Sequence, residues 1–239
     1  DDGYEGFMQS RKWAGSWGSE LPQVSLGYDH IPYWFTLKAD PSSNRLMVVS
    51  IDDDYNLYTI RWDGTSWTRD SNHDYSLDTS SSRCADFEWE PSGSKGLLVW
   101  GTSSGSLSYK TFTAPSTWSG TSTITAAGYH YWVQLRRNPL DVSGDVKILG
   151  GMLNSNNDLG ALKWDGSTLT NIGNNIFTSD TTVTTYECFD IRFQIHVQST
   201  VKTLELEFTG TSNKEMSALQ LIWSIDSCWS AGSVSVTMQ

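Results

Sequence analysis

The amino-acid sequence predicts an all-β protein, built as an about four-bladed β-propeller with a C-terminal β-strand extension. Three observations lead to this fold class. A pattern of short β-like runs returns about every 50 residues, as it does in propeller blades. Ser, Thr, Gly, Asn and Asp are abundant while helix-forming residues are sparse, which favours strands and turns. Asp-Gly dipeptides stand where hairpin turns are expected.

The repeat is clearest in three aromatic-rich runs that each end in proline, at residues 33–41, 84–91 and 131–139. Each run predicts the first strand of a blade, because a proline at a strand end costs no ladder hydrogen bond. An aliphatic run and a run that ends in an aromatic residue follow, and we predict four strands in each repeat. The predicted blades cover about 35–80, 82–128 and 129–181.

The dipeptides Asp63-Gly64 and Asp165-Gly166 stand between the predicted third and fourth strands. Asp-Gly is favoured in two-residue hairpin turns, because both turn positions need a positive φ. The sequence therefore predicts a tight two-residue turn at each dipeptide.

The two chain ends are predicted to complete a fourth blade. Residues 7–24 match the third and fourth strands of a repeat, and residues 186–196 match its first strand. Pairing them would remove open sheet edges. We therefore predict that strand 187–195 and the strands near 7–24 belong to one sheet, which gives a propeller domain over 1–196.

Residues 197–239 form the predicted C-terminal β extension. Polar and apolar residues alternate at 203–208, and 217–223 and 234–238 also predict strands. Three strands with one apolar face cannot close a core alone. We expect part of a β-sandwich that packs on the propeller or on partner strands outside these residues.

Composition narrows the function classes. The formal net charge is −11 over 239 residues, and no cluster of Lys and Arg could follow a phosphate backbone. Binding to nucleic acid or to anionic lipid is therefore disfavoured. No apolar run approaches the ~18 residues of a membrane span, so we expect no membrane insertion. Cys84, Cys188 and Cys228 lack the close spacing of a zinc site, and one disulfide or three thiols both remain open.

The run 57–68, Leu-Tyr-Thr-Ile-Arg-Trp-Asp-Gly-Thr-Ser-Trp-Thr, resembles the Trp-rich blade repeats of large uncharacterised secreted and surface proteins of archaea and bacteria. The resemblance covers roughly residues 8–195, and it implies an extracellular or cell-surface location without an activity. The stretch 225–230 resembles the opening of a β-sandwich module that often follows such repeats.

The Trp-Asp-Gly hairpin is also similar to that of small fucose-binding lectin propellers. Their sugar site uses a Glu three residues before the first Trp and an Arg on the preceding strand. The residues at the Glu position here are Thr59, Tyr109 and Ala161, and those at the Arg position are Met47, Leu97 and Lys147. The chain therefore departs from that family at its sugar-binding residues. The hairpin further resembles the sialidase Asp-box, which is a structural turn.

Two predicted hairpin turns between strands two and three carry alternating oxygen side chains, which are the ligands that Ca²⁺ prefers. These candidate metal ligands are Asp52, Asp54 and Asn56 in the first repeat and Asn154, Asn156 and Asp158 in the third. The alternative is a solvated polar turn. We expect no other cofactor.

Asp86 and Asp190 occupy matching places on strand one, which lines the axis of a propeller. Two carboxylates facing a narrow channel could hold a cation or share a proton. The alternative is that each accepts hydrogen bonds from backbone N–H groups or from an arginine.

Most tryptophans stand at repeat positions and are explained as core or wedge residues between blades. Tyr55, Tyr75 and Tyr129 lie outside the repeat pattern and are candidate ligand contacts. No catalytic constellation is visible, so we expect no enzyme.

The sequence therefore predicts a non-enzymatic extracellular or cell-surface module for binding, adhesion or structural display. Its partners would be glycans, other surface proteins or copies of itself. One alternative is a self-associating subunit of a surface filament or layer, joined through the C-terminal strands. A second is a carbohydrate-binding, lectin-like propeller, and a hydrolase is the least favoured option.

Overall fold

A computed structural model describes residues 6–26, 31–79, 81–139, 146–177, 187, 189–195, 202–207, 219–222 and 235–238. Every regular element in these ranges is a β-strand, and the all-β prediction is confirmed. No helix suited to crossing a membrane is found in the described part of the chain. Cys84 is a free, buried thiol, whereas Cys188 and Cys228 lie outside the described ranges.

The N-terminal segment folds into two short antiparallel pairs. Its strands are β1 (Phe7–Met8), β2 (Arg11–Trp13), β3 (Trp17–Glu20) and β4 (Val24–Ser25). β1 pairs with β4, and β2 pairs with β3.

Three larger antiparallel sheets follow, one in each predicted repeat. Sheet 1 contains β5 (Pro32–Ala39), β6 (Leu46–Asp52), β7 (Leu57–Trp62) and β8 (Trp67–Arg69). Sheet 2 contains β9 (Ala85–Trp89), β10 (Lys95–Gly101), β11 (Leu107–Thr113), β12 (Thr117–Trp118) and β13 (Ser122–Ile124). Sheet 3 contains β14 (His130–Arg137), β15 (Ile148–Asn154), β16 (Leu159–Trp164) and β17 (Leu169–Phe177).

Each sheet is a meander in which strands that follow one another in sequence are hydrogen-bonded neighbours, except that β13 of sheet 2 pairs with β11. The second strand of each sheet is buried on both faces, which explains its nearly continuous aliphatic sequence. The first strand, β5, β9 or β14, forms one edge of its sheet.

The sheets stack face to face through separate apolar cores. Met47 and Val49 of sheet 1 pack on Phe87 and Trp89 of sheet 2. The opposite face of sheet 2 packs on sheet 3 through a core that contains Leu97, Val99, Val133 and Leu135. A further core joins the N-terminal segment to the outer part of sheet 1. Such stacking of successive sheets is the arrangement that the repeat predicts.

The C-terminal strands are β18 (Asp190–Ile195), β19 (Lys202–Glu207), β20 (Leu219–Ile222) and β21 (Ser235–Met238). β18 pairs with β19, and β20 pairs with β21. Phe189 and Ile191 pack on sheet 3. The contact is so close that a Cβ atom on Gly151 would lie 2.4 Å from Ile191 Cδ1.

The predicted sheet between strand 187–195 and the strands near 7–24 is not among the described pairings. Instead, β18 pairs with β19, and the N-terminal strands pair with one another. A hairpin with a short loop costs less closure entropy than a ladder between the two ends of the chain, which explains the difference. The composite fourth blade, the number of blades and the domain boundaries stay predictions.

The predicted two-residue turns are wrong. Trp62 pairs with Trp67, so the turn spans residues 63–66. Asp63 Oδ1 accepts hydrogen bonds from the amides of Thr65 at 2.7 Å and Ser66 at 2.8 Å. These donors, with the Thr65 hydroxyl, hold the pKa of Asp63 well below its usual value. The aspartate therefore builds the turn through its side chain, and Asp165 repeats the arrangement with Ser167 and Thr168.

A substitution at Phe87 tests the packing of the core between sheets 1 and 2. Phe87 is fully buried, and its ring lies edge-on to Trp89 with 5.1 Å between the ring centroids. Phe87→Ala should lower the free energy of unfolding by about 3–5 kcal/mol, because it leaves a cavity among aromatic side chains. Urea denaturation followed by tryptophan fluorescence measures this loss. Tyr75→Ala, on an exposed side chain, should change it by less than about 0.5 kcal/mol. Equal losses in the two variants would contradict this packing.

Candidate functional site

The candidate calcium ligands of the first repeat build a hairpin turn. Asp52 Oδ1 accepts hydrogen bonds from the amides of Asp54 at 3.0 Å and Asn56 at 2.9 Å, and Oδ2 accepts from Asn56 Nδ2 at 2.9 Å. In the third repeat, Asn154 Oδ1 accepts from the amides of Asn156 at 2.9 Å and Asp158 at 3.1 Å. These oxygens are used within the turns. Among the described residues, no group of three His, Cys, Asp or Glu side chains could hold a metal, and calcium binding stays a prediction.

The candidate carboxylates Asp86 and Asp190 each contact a different basic side chain. Asp86 Oδ2 accepts hydrogen bonds from the Leu135 amide at 2.8 Å and from Lys38 Nζ at 3.2 Å. Asp190 Oδ1 accepts from the Arg136 guanidinium at 2.8 Å. Asp86 therefore accepts a backbone amide and a lysine, and Asp190 accepts an arginine. A cation or a shared proton at this pair stays a prediction.

Asp86 therefore belongs to an ion network that joins the first strands of three sheets. Lys38 of sheet 1 also contacts Glu88 at 3.1 Å and the Leu135 carbonyl at 3.1 Å. Burial raises the pKa of Glu88, and the Lys38 ammonium opposes that rise. The network thus places the Lys38 ammonium between two buried carboxylates.

The three candidate tyrosines lie at one end of the sheets. Tyr55, Tyr75 and Tyr129 are 46%, 70% and 48% exposed, and Ile31 beside them is 60% exposed. Tyr55 lies in the loop between β6 and β7, and Ile31 and Tyr129 directly precede β5 and β14. We call these four residues the tyrosine rim.

Backbone hydrogen bonds connect the loops of Tyr55 and Tyr75 into one arc, and a further bond holds Tyr129 on sheet 3. The Leu77 amide donates to the Tyr55 carbonyl at 3.2 Å, which places the connector 73–79 beside the first hairpin loop. The Ser103 amide donates to the Ser76 carbonyl at 3.2 Å, and this bond continues the arc to sheet 2. On sheet 3, the Ser155 amide donates to the Tyr129 carbonyl at 2.7 Å. The rings are thus displayed by fixed backbone.

Asp74 fixes the position of Tyr75. Its Oδ1 accepts hydrogen bonds from the amides of Tyr75 at 2.8 Å and Ser76 at 2.9 Å, and its Oδ2 accepts from Trp100 Nε1 at 2.6 Å. Because Trp100 is fully buried in the core, this carboxylate anchors the exposed part of the connector to sheet 2.

Tyr55 has a left-handed backbone, with a φ of 63°. Matching loops of sheets 2 and 3 have Gly105 with a φ of 72° and Asn157 with a φ of 65°. Glycine and asparagine adopt this conformation at low cost, whereas a bulky aromatic residue does so rarely. The chain thus keeps an exposed tyrosine where its backbone is strained, which is a frequent feature of functional loops.

A polar cluster between sheets 1 and 2 was not predicted from the sequence. Asp70 accepts hydrogen bonds from the Thr59 hydroxyl at 2.8 Å, Arg61 Nε at 2.7 Å and Trp118 Nε1 at 3.1 Å. His73 Nε2 lies 2.9 Å from the Thr59 hydroxyl. In sheet 2, the position equivalent to Thr59 holds Tyr109, whose ring packs near Trp164. The small side chain of Thr59 leaves room for the histidine, and this difference between repeats is the signal that could have revealed the cluster.

His73 is neutral in this cluster. Burial and the neighbouring Lys110 lower the pKa of His73 from 6.5 to about 4. The hydroxyl of Thr59 donates to Asp70, so it accepts a hydrogen bond from His73 Nε2. Nδ1 then faces Lys110 Nζ at 3.5 Å with its lone pair.

The positions of the fucose-lectin sugar site are occupied by structural residues. Thr59, Met47 and Leu97 are fully buried. Lys147 Nζ contacts Glu90 Oε2 at 2.8 Å. The structure therefore separates the exposed tyrosine rim from the positions that the resemblance points to.

No family model and no curated protein matches the sequence. The fold is similar to that of the SapL1 lectin, solved in complex with α-methyl fucoside, with a TM-score of 0.50 and 10% sequence identity over 98% of this chain and 74% of that chain. The NanB sialidase from Streptococcus pneumoniae, as a K499G mutant, gives a TM-score of 0.47 and 14% identity over 86% of this chain and 32% of that chain. At such identities, the likeness to SapL1 concerns the fold alone and agrees with a propeller-like arrangement of the sheets.

Tyr55→Asn tests the strain at the rim. Asparagine stands at the equivalent position 157 with nearly the same φ, so the exchange should raise the free energy of unfolding by about 1 kcal/mol. Urea denaturation of both proteins measures the difference. Tyr75→Asn is the control, because the structure records no positive φ there, and it should bring no gain. A loss of stability in Tyr55→Asn would show that the tyrosine ring, and not the backbone, governs this loop.

Because His73 is neutral in the folded protein, we expect the free energy of unfolding to depend on pH. The pKa is lower in the folded protein than its ordinary value of 6.5, so the unfolded chain binds the proton first as the pH falls. The contribution of His73 to stability is complete above pH 6.5 and should decrease between pH 6.5 and about 4. Urea denaturation across this range measures the decrease. His73→Gln should flatten the profile, because the group that titrates differently in the two states is removed. An unchanged slope in His73→Gln would contradict the assignment.

Proposed function

We propose that this chain is a non-enzymatic, extracellular carbohydrate-binding module whose binding surface is the tyrosine rim. The single observation behind the proposal is the display of Tyr55, Tyr75 and Tyr129 at one end of the sheets, exposed and held by backbone hydrogen bonds. Large exposed apolar side chains that gather on fixed loops mark interaction surfaces.

Tyrosine suits the binding of sugars. Its ring offers a rigid apolar face, and its hydroxyl group can donate or accept a hydrogen bond. The side chain has few rotatable bonds, so it loses little conformational entropy on binding. Sugars present the matching combination of an apolar ring face and hydroxyl groups. The loops beside the rim supply further hydroxyl and amide groups, among them Ser103, Ser155 and Asn156. The fold likeness to a lectin supports this class of ligand.

The charge of the chain favours neutral glycans. The formal net charge is −11, and Asp53 and Asp74 lie on the loops that carry the tyrosine rim. Sialylated, sulfated or uronic acid chains would meet repulsion at this surface. We therefore expect neutral hexoses or deoxyhexoses as ligands.

The rim can be tested by the binding of neutral oligosaccharides. A glycan array should find a neutral ligand, and titration calorimetry should then give an affinity at least about tenfold weaker for Tyr75→Ala, a loss of about 1.4 kcal/mol. Trp17→Ala is the matched control, because Trp17 is also an exposed aromatic residue but lies away from the rim. It pairs with Trp13, and the neighbouring Lys12 contacts the 63–66 turn, at the end of β7 opposite to Tyr55. It should bind as the original protein does.

Two outcomes would contradict the proposal. If no glycan on the array binds, carbohydrate recognition is wrong. If a glycan binds and Tyr75→Ala, Tyr55→Asn and Tyr129→Ala all keep full affinity, the function stands but the rim is not its site.

A further inference from the structure

The first strand of sheet 1 has an apolar face that stays exposed in the described part of the chain. Tyr33, Phe35 and Leu37 alternate along β5 and are 53%, 47% and 60% exposed. In an antiparallel strand, alternate residues share one face. These three side chains therefore form a single exposed stripe, which we call the β5 stripe.

The other two repeats bury the same positions. Leu37 stands four residues before Pro41, as Phe87 does before Pro91 and Leu135 before Pro139, and Phe87 and Leu135 are both 0% exposed. In each case the cover is the preceding sheet: sheet 1 covers Phe87, and sheet 2 covers Leu135. The β5 stripe is thus the face of sheet 1 that a preceding sheet is expected to cover.

Two hydrogen bonds hold the corresponding junction of sheets 2 and 3. The Leu135 amide donates to Asp86 Oδ2 at 2.8 Å, and the Val133 amide donates to the Arg83 carbonyl at 3.0 Å. Asp190 stands at the repeat position of Asp86, and Leu37 at that of Leu135. The repeat therefore supplies an acceptor in β18 for the amide of Leu37 in β5.

β18 already lies next to this junction. It packs on sheet 3, and Trp34 of β5 reaches the same core, where its ring lies 5.4 Å from that of Trp132. The N-terminal segment covers the outer part of the same face of sheet 1, through contacts of Leu26 with Val48 and Ile60. The β5 stripe lies between these two covered regions. Asp190 is half exposed and faces Arg136.

We propose that the hairpin of β18 and β19 docks on the β5 stripe and closes the ring of sheets, with the Asp190 carboxylate accepting the Leu37 amide. We assign the β5 stripe to a segment of the same chain for two reasons. Trp34 of β5 and residues of β18 already share a core, and a tethered segment binds at a high effective concentration. Docking buries Phe35 and Leu37 as the equivalent junctions bury Ala85 and Phe87.

Amide hydrogen exchange of the whole chain, followed residue by residue by NMR, tests this closure. In the monomer, the Leu37 amide should exchange at least about tenfold more slowly than an open amide, because a closed junction gives it an acceptor that the described pairing of β5 does not. Asp190→Ala should abolish this protection. Arg136→Ala is the matched control: it removes the described partner of Asp190 but leaves the carboxylate, so Leu37 should stay protected.

The Phe87 amide reports folding in every variant, because it belongs to the core between sheets 1 and 2. Rapid exchange of Leu37 in the original protein, while Phe87 is protected, would overturn the proposal. Protection that appears only at concentrations where light scattering detects a dimer would also overturn it, and would assign the β5 stripe to a second copy of the chain. Equal loss of protection in Asp190→Ala and Arg136→Ala would show a general loosening of β18 in place of a specific acceptor.

Discussion

The buried carboxylate of Asp86 fixes the inner strands of three sheets relative to one another. It belongs to sheet 2, accepts the Leu135 amide of sheet 3, and contacts the Lys38 ammonium of sheet 1. A buried charge must be matched by donors, and a lost partner would leave it uncompensated at a large cost. The inner strands therefore have one relative position that satisfies all three groups. The cores farther out, and the loops at the strand ends, follow from that position.

The tyrosine rim depends on this arrangement without taking part in it. Its rings are held through the backbone, by bonds such as that from the Ser155 amide to the Tyr129 carbonyl, and their faces stay exposed. A surface built in this way can change its side chains while the cores remain as they are, which is the division between scaffold and recognition loops that binding proteins use.

The strands could be predicted from the sequence because apolar periodicity and burial coincide in them. The aliphatic second strand is buried on both faces in every repeat, and the run from Leu46 to Asp52 shows this without any structure. The turn at Asp63 could not be predicted in the same way. Its side chain accepts the amides of Thr65 and Ser66, and these bonds override the ordinary preference of Asp-Gly for a two-residue turn.

The candidate site could also be predicted only in part from the sequence. Tyr55, Tyr75 and Tyr129 could be singled out because they interrupt the repeat, but only the topology brings them to one end. The cluster around Asp70 combines Thr59, His73 and Trp118 from separate segments, and no local pattern records such proximity. The pairing of β18 with β19 likewise results from competition between a nearby and a distant partner, which periodicity does not decide.

The connector 73–79 has a consequence for cooperativity. It bonds to sheet 1 through the Leu57 amide and the Asp74 carbonyl at 3.0 Å, to sheet 2 through the Asp78 amide and the Gly101 carbonyl at 3.3 Å, and to sheet 3 through the His130 amide and Asp78 Oδ2 at 2.6 Å. Repeat proteins whose units touch only their neighbours can lose those units one at a time. Here one stretch of chain links three units, so the loss of one weakens the anchoring of the other two. The sequence is therefore a series of repeats, but we expect the three sheets to unfold together.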